Sequence, residues 1–143
     1  MTTSLSPRLA AVVDALPLRP GLRVVEVGGA PGAAAREVAR RVAPDGHVLV
    51  VDRSAKGVAL VERTCADEIA AGLLSVRCVA VDDLALEPGE VPYDLACACR
   101  VGVLDGRHPG GRARAAVASV LVPGGRLYVD TGTPLTEVDP ASG

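Results

Sequence analysis

A short stretch in the first quarter of the chain combines an acidic residue with several glycines. Residues 24–32 read Val-Val-Glu-Val-Gly-Gly-Ala-Pro-Gly, and an alanine-rich, helix-forming segment follows from Ala33. This order predicts a strand, a tight turn and a helix, an arrangement that brings backbone N–H groups close to a bound nucleoside. The candidate cofactor-binding residues of this turn are Glu26, Gly28, Gly29, Ala30 and Gly32.

A second acidic residue follows the next apolar segment. Asp52 lies twenty positions after Gly32 and directly after residues 47–51, which predict a second strand. An acid in this position is placed to accept hydrogen bonds from ribose hydroxyls. The alternative is that Asp52 only caps the following helix. With the glycine turn, Asp52 predicts a site for an adenosine-containing cofactor, and we interpret Arg53 as a solvated side chain able to lie along the adenine.

The glycine spacing separates two classes of cofactor. A dinucleotide fingerprint that begins at Gly28 requires glycines at positions 30 and 33, where this chain has alanines. Glu26-x-Gly28-Gly29-x-x-Gly32 instead resembles the first motif of the class I S-adenosylmethionine-dependent methyltransferases, with Ala30 in place of the middle glycine. The resemblance implies that Glu26 lies near the methionyl ammonium group of the cofactor. The alternative is a purely structural role, in which its carboxylate accepts hydrogen bonds from backbone amides of the glycine turn. A nicotinamide-binding domain remains the alternative.

Two later segments extend the resemblance. Residues 121–129 contain Leu-x-Pro-Gly-Gly-x-Leu, which is similar to the approach to the fifth strand of that family, and Tyr93-Asp94-Leu95-Ala96 is similar to its fourth-strand start. With Asp52, these landmarks occur in the expected order over about residues 5–130. The resemblance implies S-adenosylmethionine as cofactor, S-adenosylhomocysteine as product and methyl transfer to an unidentified, small-molecule acceptor.

The residues expected to bind the adenine agree less well with the family that the chain resembles. The resemblance implies an Asp-Ala pair after the third strand, but the corresponding positions hold Ala80 and Val81. Asp82 or Asp83 can supply the acid from two or three residues further on, and the alternative is that both acids lie on a solvated turn. We also count Cys99, at the end of the predicted fourth strand, among the cofactor-binding residues.

Apolar runs and amphipathic segments alternate along the chain. Serine followed by proline at Ser6-Pro7 predicts the start of a helix. Strands are predicted at residues 23–27, 47–51, 76–81, 93–99 and 126–130. These strands are continuous apolar runs, as expected when helices cover both faces of a parallel sheet. We predict one α/β domain over residues 1–143, a doubly wound, mainly parallel Rossmann-like sheet of order 3-2-1-4-5 with helices on both faces.

The carboxyl-terminal segment is short for this architecture. Members of the family that the chain resembles add a helix and an antiparallel hairpin after the fifth strand. Residues 131–143 cannot supply both, so we predict that the hairpin is lacking and that these residues form a loose tail. The outer edge of the fifth strand would then be uncovered. Exposed edges are normally paired or covered, which predicts a homodimer or a partner protein at that edge. The alternative is that the tail from Thr131 folds back over the edge and leaves a monomer.

Composition and charge exclude several other classes of protein. The net charge is −2 and the basic residues are scattered, so a nucleic-acid partner is not expected. No apolar run approaches the ~18 residues of a membrane span and no signal segment begins the chain, so a cytoplasmic location is expected. The four cysteines lack metal-site spacing, which predicts buried free thiols and no metal.

The sequence does not identify a catalytic base. No histidine follows the predicted fourth strand at residues 100–104, and His108 is the nearest candidate, although a histidine in a loop is more often solvated. His47 is expected to be structural. Because the sulfonium is already an activated methyl donor, positioning alone can supply much of the rate, and the catalytic residues are left unassigned.

Two alternatives to a small-molecule methyltransferase stay open. A non-catalytic cofactor-binding or assembly module that needs a partner would explain the short carboxyl terminus and the missing base. The segment Gly29-Ala30-Pro31-Gly32 also resembles a motif of RNA methyltransferases. Lys56, the only lysine, cannot fill the several catalytic lysine positions of the 2′-O enzymes, and the cysteine motifs of the cytosine enzymes are absent.

Overall fold

A computed structural model of the protein describes residues 5–28, 31–99, 111–130 and 135–138. The α-helices are α1 (Pro7–Ala15), α2 (Ala33–Val42), α3 (Ala55–Thr64), α4 (Ala66–Ala70) and α5 (Gly111–Ser119). The strands are β1 (Arg23–Val27), β2 (His47–Asp52), β3 (Leu74–Cys78), β4 (Tyr93–Cys99), β5 (Leu121–Asp130) and β6 (Leu135–Val138). A short 3-10 helix spans Val81–Asp83.

The strands form one six-stranded sheet of order β3-β2-β1-β4-β5-β6. All neighbours from β3 to β5 are parallel, and β6 runs antiparallel to β5. The predicted order 3-2-1-4-5 of a doubly wound α/β fold is therefore confirmed. The chain order reverses between β1 and β4, and ligands of open α/β sheets bind beyond the carboxyl ends of the strands at such a point.

Residues on alternate sides of the strands form two apolar layers. Val24, Val48 and Val50 are buried on one face beneath α1, α2 and α3. Val25 and Leu49 are buried on the opposite face, which α5 covers. Burial on both faces explains why these strands are continuous apolar runs.

The first helix begins where its sequence predicts. Ser6 is the N-cap of α1, and its hydroxyl oxygen accepts a hydrogen bond from the backbone N–H of Leu9 at 3.2 Å. Pro7 occupies the first helical position, where a missing N–H carries no cost. Val13 and Leu16 are buried against the sheet, so a stripe of apolar residues anchors the helix.

The carboxyl-terminal prediction is wrong for Leu135–Val138. These four residues form β6 and pair with residues 127–130 of β5, from Leu127 opposite Val138 to Asp130 opposite Leu135. A hairpin-type return satisfies backbone groups that an uncovered β5 would leave unpaired. The outer edge of β5 is therefore covered at these positions by the chain itself, and we do not propose a dimer through that edge.

The third strand differs from its predicted position. It spans Leu74–Cys78 rather than residues 76–81, because its pairing with β2 ends at Asp52 opposite Cys78. The N–H of Val79 still donates to the carbonyl of Asp52 at 3.1 Å, after which Ala80 caps the 3-10 helix. Within the described residues 79–92, the connection from β3 to β4 contains no α-helix.

Candidate cofactor site

The glycine turn lies at the carboxyl end of β1. Gly28 has φ +74° and donates its N–H to the carbonyl of Val51 in β2 at 2.8 Å. Gly32 has φ +112° and forms the N-cap of α2, with its carbonyl accepting from the N–H of Arg36 at 2.9 Å. Both backbone conformations favour glycine. Gly29 and Ala30 lie outside the described residues.

Cys65, the residue between α3 and α4, packs against the glycine turn. A Cβ atom at Gly32 would lie 3.1 Å from Sγ of Cys65, so a side chain there would press on that thiol. The Cys65 thiol donates a hydrogen bond to the carbonyl of Gly32 at 3.4 Å. Burial, assisted by the nearby carboxyls of Glu68 and Glu26, raises the pKa of Cys65 to about 11. Cys65 is therefore a protonated donor at neutral pH and not a nucleophile.

Glu26 lies one residue before the end of β1 and is 3% exposed. Burial raises the pKa of its carboxyl from an ordinary value of 4.5 to about 8. Within the described residues, the carboxyl has no hydrogen-bond partner. A buried carboxylate is costly unless it is paired, so burial favours the protonated form of Glu26, and a cation placed beside it would favour the carboxylate.

Asp52 is the last residue of β2, and one of its carboxylate oxygens is already engaged. Oδ1 accepts a hydrogen bond from the backbone N–H of Ser54 at 2.8 Å. The Ser54 hydroxyl in turn accepts from the N–H of Gly57 and caps α3. Asp52 thus stabilises the start of α3 through the N-cap residue Ser54, which is close to the alternative role of a residue that caps this helix. Oδ2 has no hydrogen-bond partner within the described residues, which leaves it available to a ligand.

Arg53 and Cys78 lie beside Asp52 at the same edge. The side chain of Arg53 is exposed, and its carbonyl accepts a hydrogen bond from the Cys78 thiol at 3.7 Å. Cys78 is itself exposed, whereas Cys65 and Cys97 are buried. The expectation of buried thiols is wrong for Cys78, because this residue ends an edge strand of the sheet.

The candidate adenine residues follow β3. Ala80, Val81 and Asp82 are partly exposed in and before the 3-10 helix. Asp83 forms an ion pair with Arg112 of α5 at 2.9 Å, while Asp82 has no partner within the described residues. Of the two acids left open by the sequence, Asp82 is therefore the one available to a ligand.

The pairing of the strands brings most of these residues to one edge of the sheet. Val27 is opposite Val51 in β2 and opposite Ala98 in β4, so the ends of all three strands lie side by side. Cys99 ends β4 at this edge, and its side chain is outside the described part of the structure. His108 also lies outside the described residues.

A groove of about 660 Å³ lies along β3, lined from Arg23 and His47 at the amino ends of β1 and β2 to Cys78 at the carboxyl end of β3. Its polar groups largely satisfy one another. Arg77 is 2.9 Å from Glu90, which also accepts a hydrogen bond of 2.6 Å from the Tyr93 hydroxyl. His47 was expected to be structural, and its ring nitrogens lie 2.9 Å from the Gly72 carbonyl and 2.8 Å from the Ser75 hydroxyl. The groove contains neither the glycine turn nor Asp52.

Neither a metal-binding cluster nor a membrane-spanning helix occurs in the part of the chain that the structure describes. Residues 5–28, 31–99, 111–130 and 135–138 contain no group of three or more histidine, cysteine, aspartate or glutamate side chains able to hold a metal ion. In the same ranges, every helix is too short or too polar to cross a bilayer.

Comparison with known proteins supports the resemblance at the level of the fold. The chain matches no protein-family model and no curated protein sequence. A SAM-dependent methyltransferase from Aquifex aeolicus superposes on 85% of the chain with a TM-score of 0.67 and 14% identity. Coclaurine N-methyltransferase, solved with N-methylheliamine and SAH bound, superposes on 85% with a TM-score of 0.69 and 14% identity. The cyclase SpnF superposes on 85% of the chain with a TM-score of 0.69 and 24% identity.

The chain has the fold of the class I S-adenosylmethionine-dependent methyltransferases. It spans 62% of the Aquifex aeolicus chain, 43% of the cyclase and 34% of the coclaurine enzyme. In this fold, the edge that carries Glu26, the glycine turn and Asp52 lies at the reversal of strand order, where open α/β sheets bind their ligands.

Two residues near this edge were not identified from the sequence. Cys65 contacts the glycine turn, and Gly57 lies against the Asp52 carboxylate. Cys65 lies at the junction between two helices, since α3 ends at Thr64 and α4 begins at Ala66. A glycine inside an otherwise helical pattern is the signal that marks Gly57 as special.

Proposed function

We propose that the chain binds S-adenosylmethionine at the carboxyl ends of β1 and β2 and acts as a methyltransferase on a small-molecule acceptor. The observation that carries the proposal is the Glu26 carboxyl, buried without a hydrogen-bond partner within the described residues, beside a glycine turn at the reversal of strand order. A dinucleotide offers no ammonium group to such a carboxyl, whereas the methionyl part of S-adenosylmethionine does.

The remaining candidate residues divide between the two ends of the cofactor. Asp52 has one carboxylate oxygen without a partner among the described residues, which we assign to the ribose hydroxyls, and the exposed Arg53 lies next to it. Ala80, Val81 and Asp82 follow β3 and are proposed to bind the adenine. Gly28 and Gly32 are proposed to contact the methionyl part, as are Gly29 and Ala30, which lie outside the described residues, and Cys99 at the end of β4.

The chemistry needs little from the protein beyond positioning. The acceptor's electron pair forms a bond to the methyl carbon as the bond from carbon to sulfur breaks, which leaves S-adenosylhomocysteine as a neutral thioether. The acceptor loses its proton to water or to a base, and a base is required only if the acceptor must be deprotonated to react. Holding the donor and acceptor in line supplies much of the rate.

Calorimetric titration tests the cofactor assignment. We expect S-adenosylmethionine and S-adenosylhomocysteine to bind and NAD to bind more weakly or not at all. Tighter binding of NAD would contradict the assignment. Transfer of a radiolabelled methyl group to low-molecular-weight components of a cell extract tests the reaction itself.

The two measurements together separate catalysis from binding. Binding of S-adenosylhomocysteine without methyl transfer to any fraction would contradict the enzyme and indicate a cofactor-binding module that needs a partner. Transfer to an RNA fraction would contradict the small-molecule acceptor and leave the cofactor assignment intact. The cyclase among the similar structures is a reason to measure the reaction directly, because the same fold carries different activities.

A further inference from the structure

Gly57 is the third residue of α3 and is buried against the side chain of Asp52. A Cβ atom built at Gly57 would lie 2.9 Å from Oδ2, 3.0 Å from Cγ and 3.1 Å from Oδ1 of that carboxylate. Carbon atoms of side chains do not approach other groups so closely, so a methyl group at position 57 requires the carboxylate to move. The missing side chain creates the space that the Asp52 carboxylate occupies.

The backbone at Gly57 does not itself require glycine. Gly57 is absent from the described glycines with positive φ, and its N–H makes an ordinary capping hydrogen bond to the Ser54 hydroxyl at 3.1 Å. Glycine is less favourable than alanine in a helix. Contact with Asp52 is therefore the feature of this position that favours glycine over alanine.

The same contact determines how the carboxylate is oriented. Oδ1 is held by the N–H of Ser54 at 2.8 Å, next to the start of α3, where the helix dipole favours a negative charge. With Oδ1 held there, Oδ2 is left without a partner among the described residues. Rotation of the side chain away from Gly57 would change the direction of both oxygens.

We propose that Gly57 is a positioning residue for ribose recognition: it allows the Asp52 carboxylate to lie against the first turn of α3, with one oxygen on the Ser54 N–H and the other directed to the ribose hydroxyls. The inference rests on the proposed function, because it assumes that an adenosine-containing cofactor binds at this edge. A negative charge in this position also disfavours a ribose that carries a phosphate group.

The Gly57→Ala variant tests the inference, with Gly111→Ala as its matched control. Gly111 is also in the first turn of a helix, but a Cβ atom there would meet no atom of the described residues within 4 Å. Two probes are titrated by calorimetry, S-adenosylhomocysteine and its 2′,3′-dideoxyribose analogue. The ratio of their dissociation constants measures recognition of the ribose hydroxyls, which a general loss of stability does not change.

We expect the wild type and Gly111→Ala to prefer the hydroxylated ligand by about ten-fold or more, the range for a hydrogen bond to a charged group. In Gly57→Ala this preference should fall towards one. Adding Asp52→Ala to Gly57→Ala should then produce little further loss, because both changes remove the same contact.

Each other outcome overturns a defined part of the inference. If S-adenosylhomocysteine does not bind the wild type, the proposed function fails and the role of Gly57 fails with it. If the wild type binds and Asp52→Ala loses the preference while Gly57→Ala keeps it, only the role of Gly57 is wrong. Additive losses in the double variant would show that Gly57 acts independently of Asp52.

Discussion

At the scale of single residues, Glu26 and Asp52 are two carboxyls at one edge of the sheet with different surroundings. Glu26 is enclosed by the core and has no partner among the described residues, and burial raises its pKa to about 8. Asp52 is partly exposed and is held by the Ser54 N–H. The first is suited to a buried cation and the second to neutral hydroxyl groups, which is the charge pattern of an adenosyl amino acid.

The raised pKa of Glu26 predicts a pH dependence of stability. Because the folded state retains a proton that the unfolded state loses near pH 4.5, this contribution is complete below pH 4.5 and is lost as the pH rises to about 8. The free energy of unfolding should fall over that range by at most about 1.4 kcal/mol per pH unit. Glu26→Gln should remove this slope.

Urea denaturation at pH 5, 6.5 and 8 measures the slope. Glu62→Gln, at an exposed carboxylate in α3, serves as the control and should behave as the wild type. An unchanged slope in Glu26→Gln would show that another group carries the pH dependence.

Replacement of Asp52 by alanine should weaken binding of S-adenosylhomocysteine by about ten-fold or more, because a hydrogen bond to a charged group is lost. Thermal denaturation should show that the variant remains folded, since the side chain lies at the end of β2, beyond the core. Asp45→Ala, in an exposed turn, is the control for calorimetry. Wild-type affinity in Asp52→Ala would exclude the ribose role.

At the scale of elements, β6 changes the environment of β5. Leu127 and Val129 of β5 are fully buried, and β6 pairs with residues 127–130, which include both of them. A parallel sheet that ended at β5 would present unpaired backbone groups next to apolar side chains, a surface prone to association. The short antiparallel strand protects that edge without a partner chain.

Deletion of residues 135–143 should therefore lower the melting temperature and promote association, as measured by thermal denaturation and light scattering. Deletion of residues 139–143 alone leaves β6 in place and is the control. If both deletions leave the melting temperature and the mass unchanged, the pairing of β6 contributes nothing measurable to the stability of the sheet.

At the scale of the whole molecule, ligand binding and folding are linked. The candidate site joins residues of β1, β2 and the segment after β3, which adopt their relative positions only in the folded sheet. A ligand that binds only the folded state stabilises it by about 2.7 kcal/mol at a concentration one hundred times its dissociation constant. The stabilisation that a ligand produces therefore tests whether residues from all these elements together form a binding site.

S-adenosylhomocysteine at saturating concentration should raise the melting temperature by several degrees, while NAD at the same concentration should not. The Asp52→Ala variant should require a higher concentration of S-adenosylhomocysteine for the same shift, because its affinity is lower. A larger shift with NAD would contradict the proposed cofactor and agree with the nicotinamide alternative.

The local features of the fold were predictable from the sequence. Apolar runs at residues 23–27 and 47–51, the glycines after β1 and the Ser6-Pro7 helix start all depend on neighbours within a few positions. Local conformational preferences and the continuity of apolar residues are encoded over such distances. For this reason the first two strands, the turn and the position of Asp52 after the second strand followed from the sequence.

Features that depend on distant contacts were decided only by the tertiary structure. Residues 79–81 are apolar and strand-like, yet β3 ends at Cys78, where its pairing with β2 ends. Leu135–Val138 has no strong strand pattern of its own and becomes β6 by pairing with β5. The raised pKa of Glu26 and the fit of Gly57 against Asp52 likewise arise from packing between separate elements, which no local pattern records.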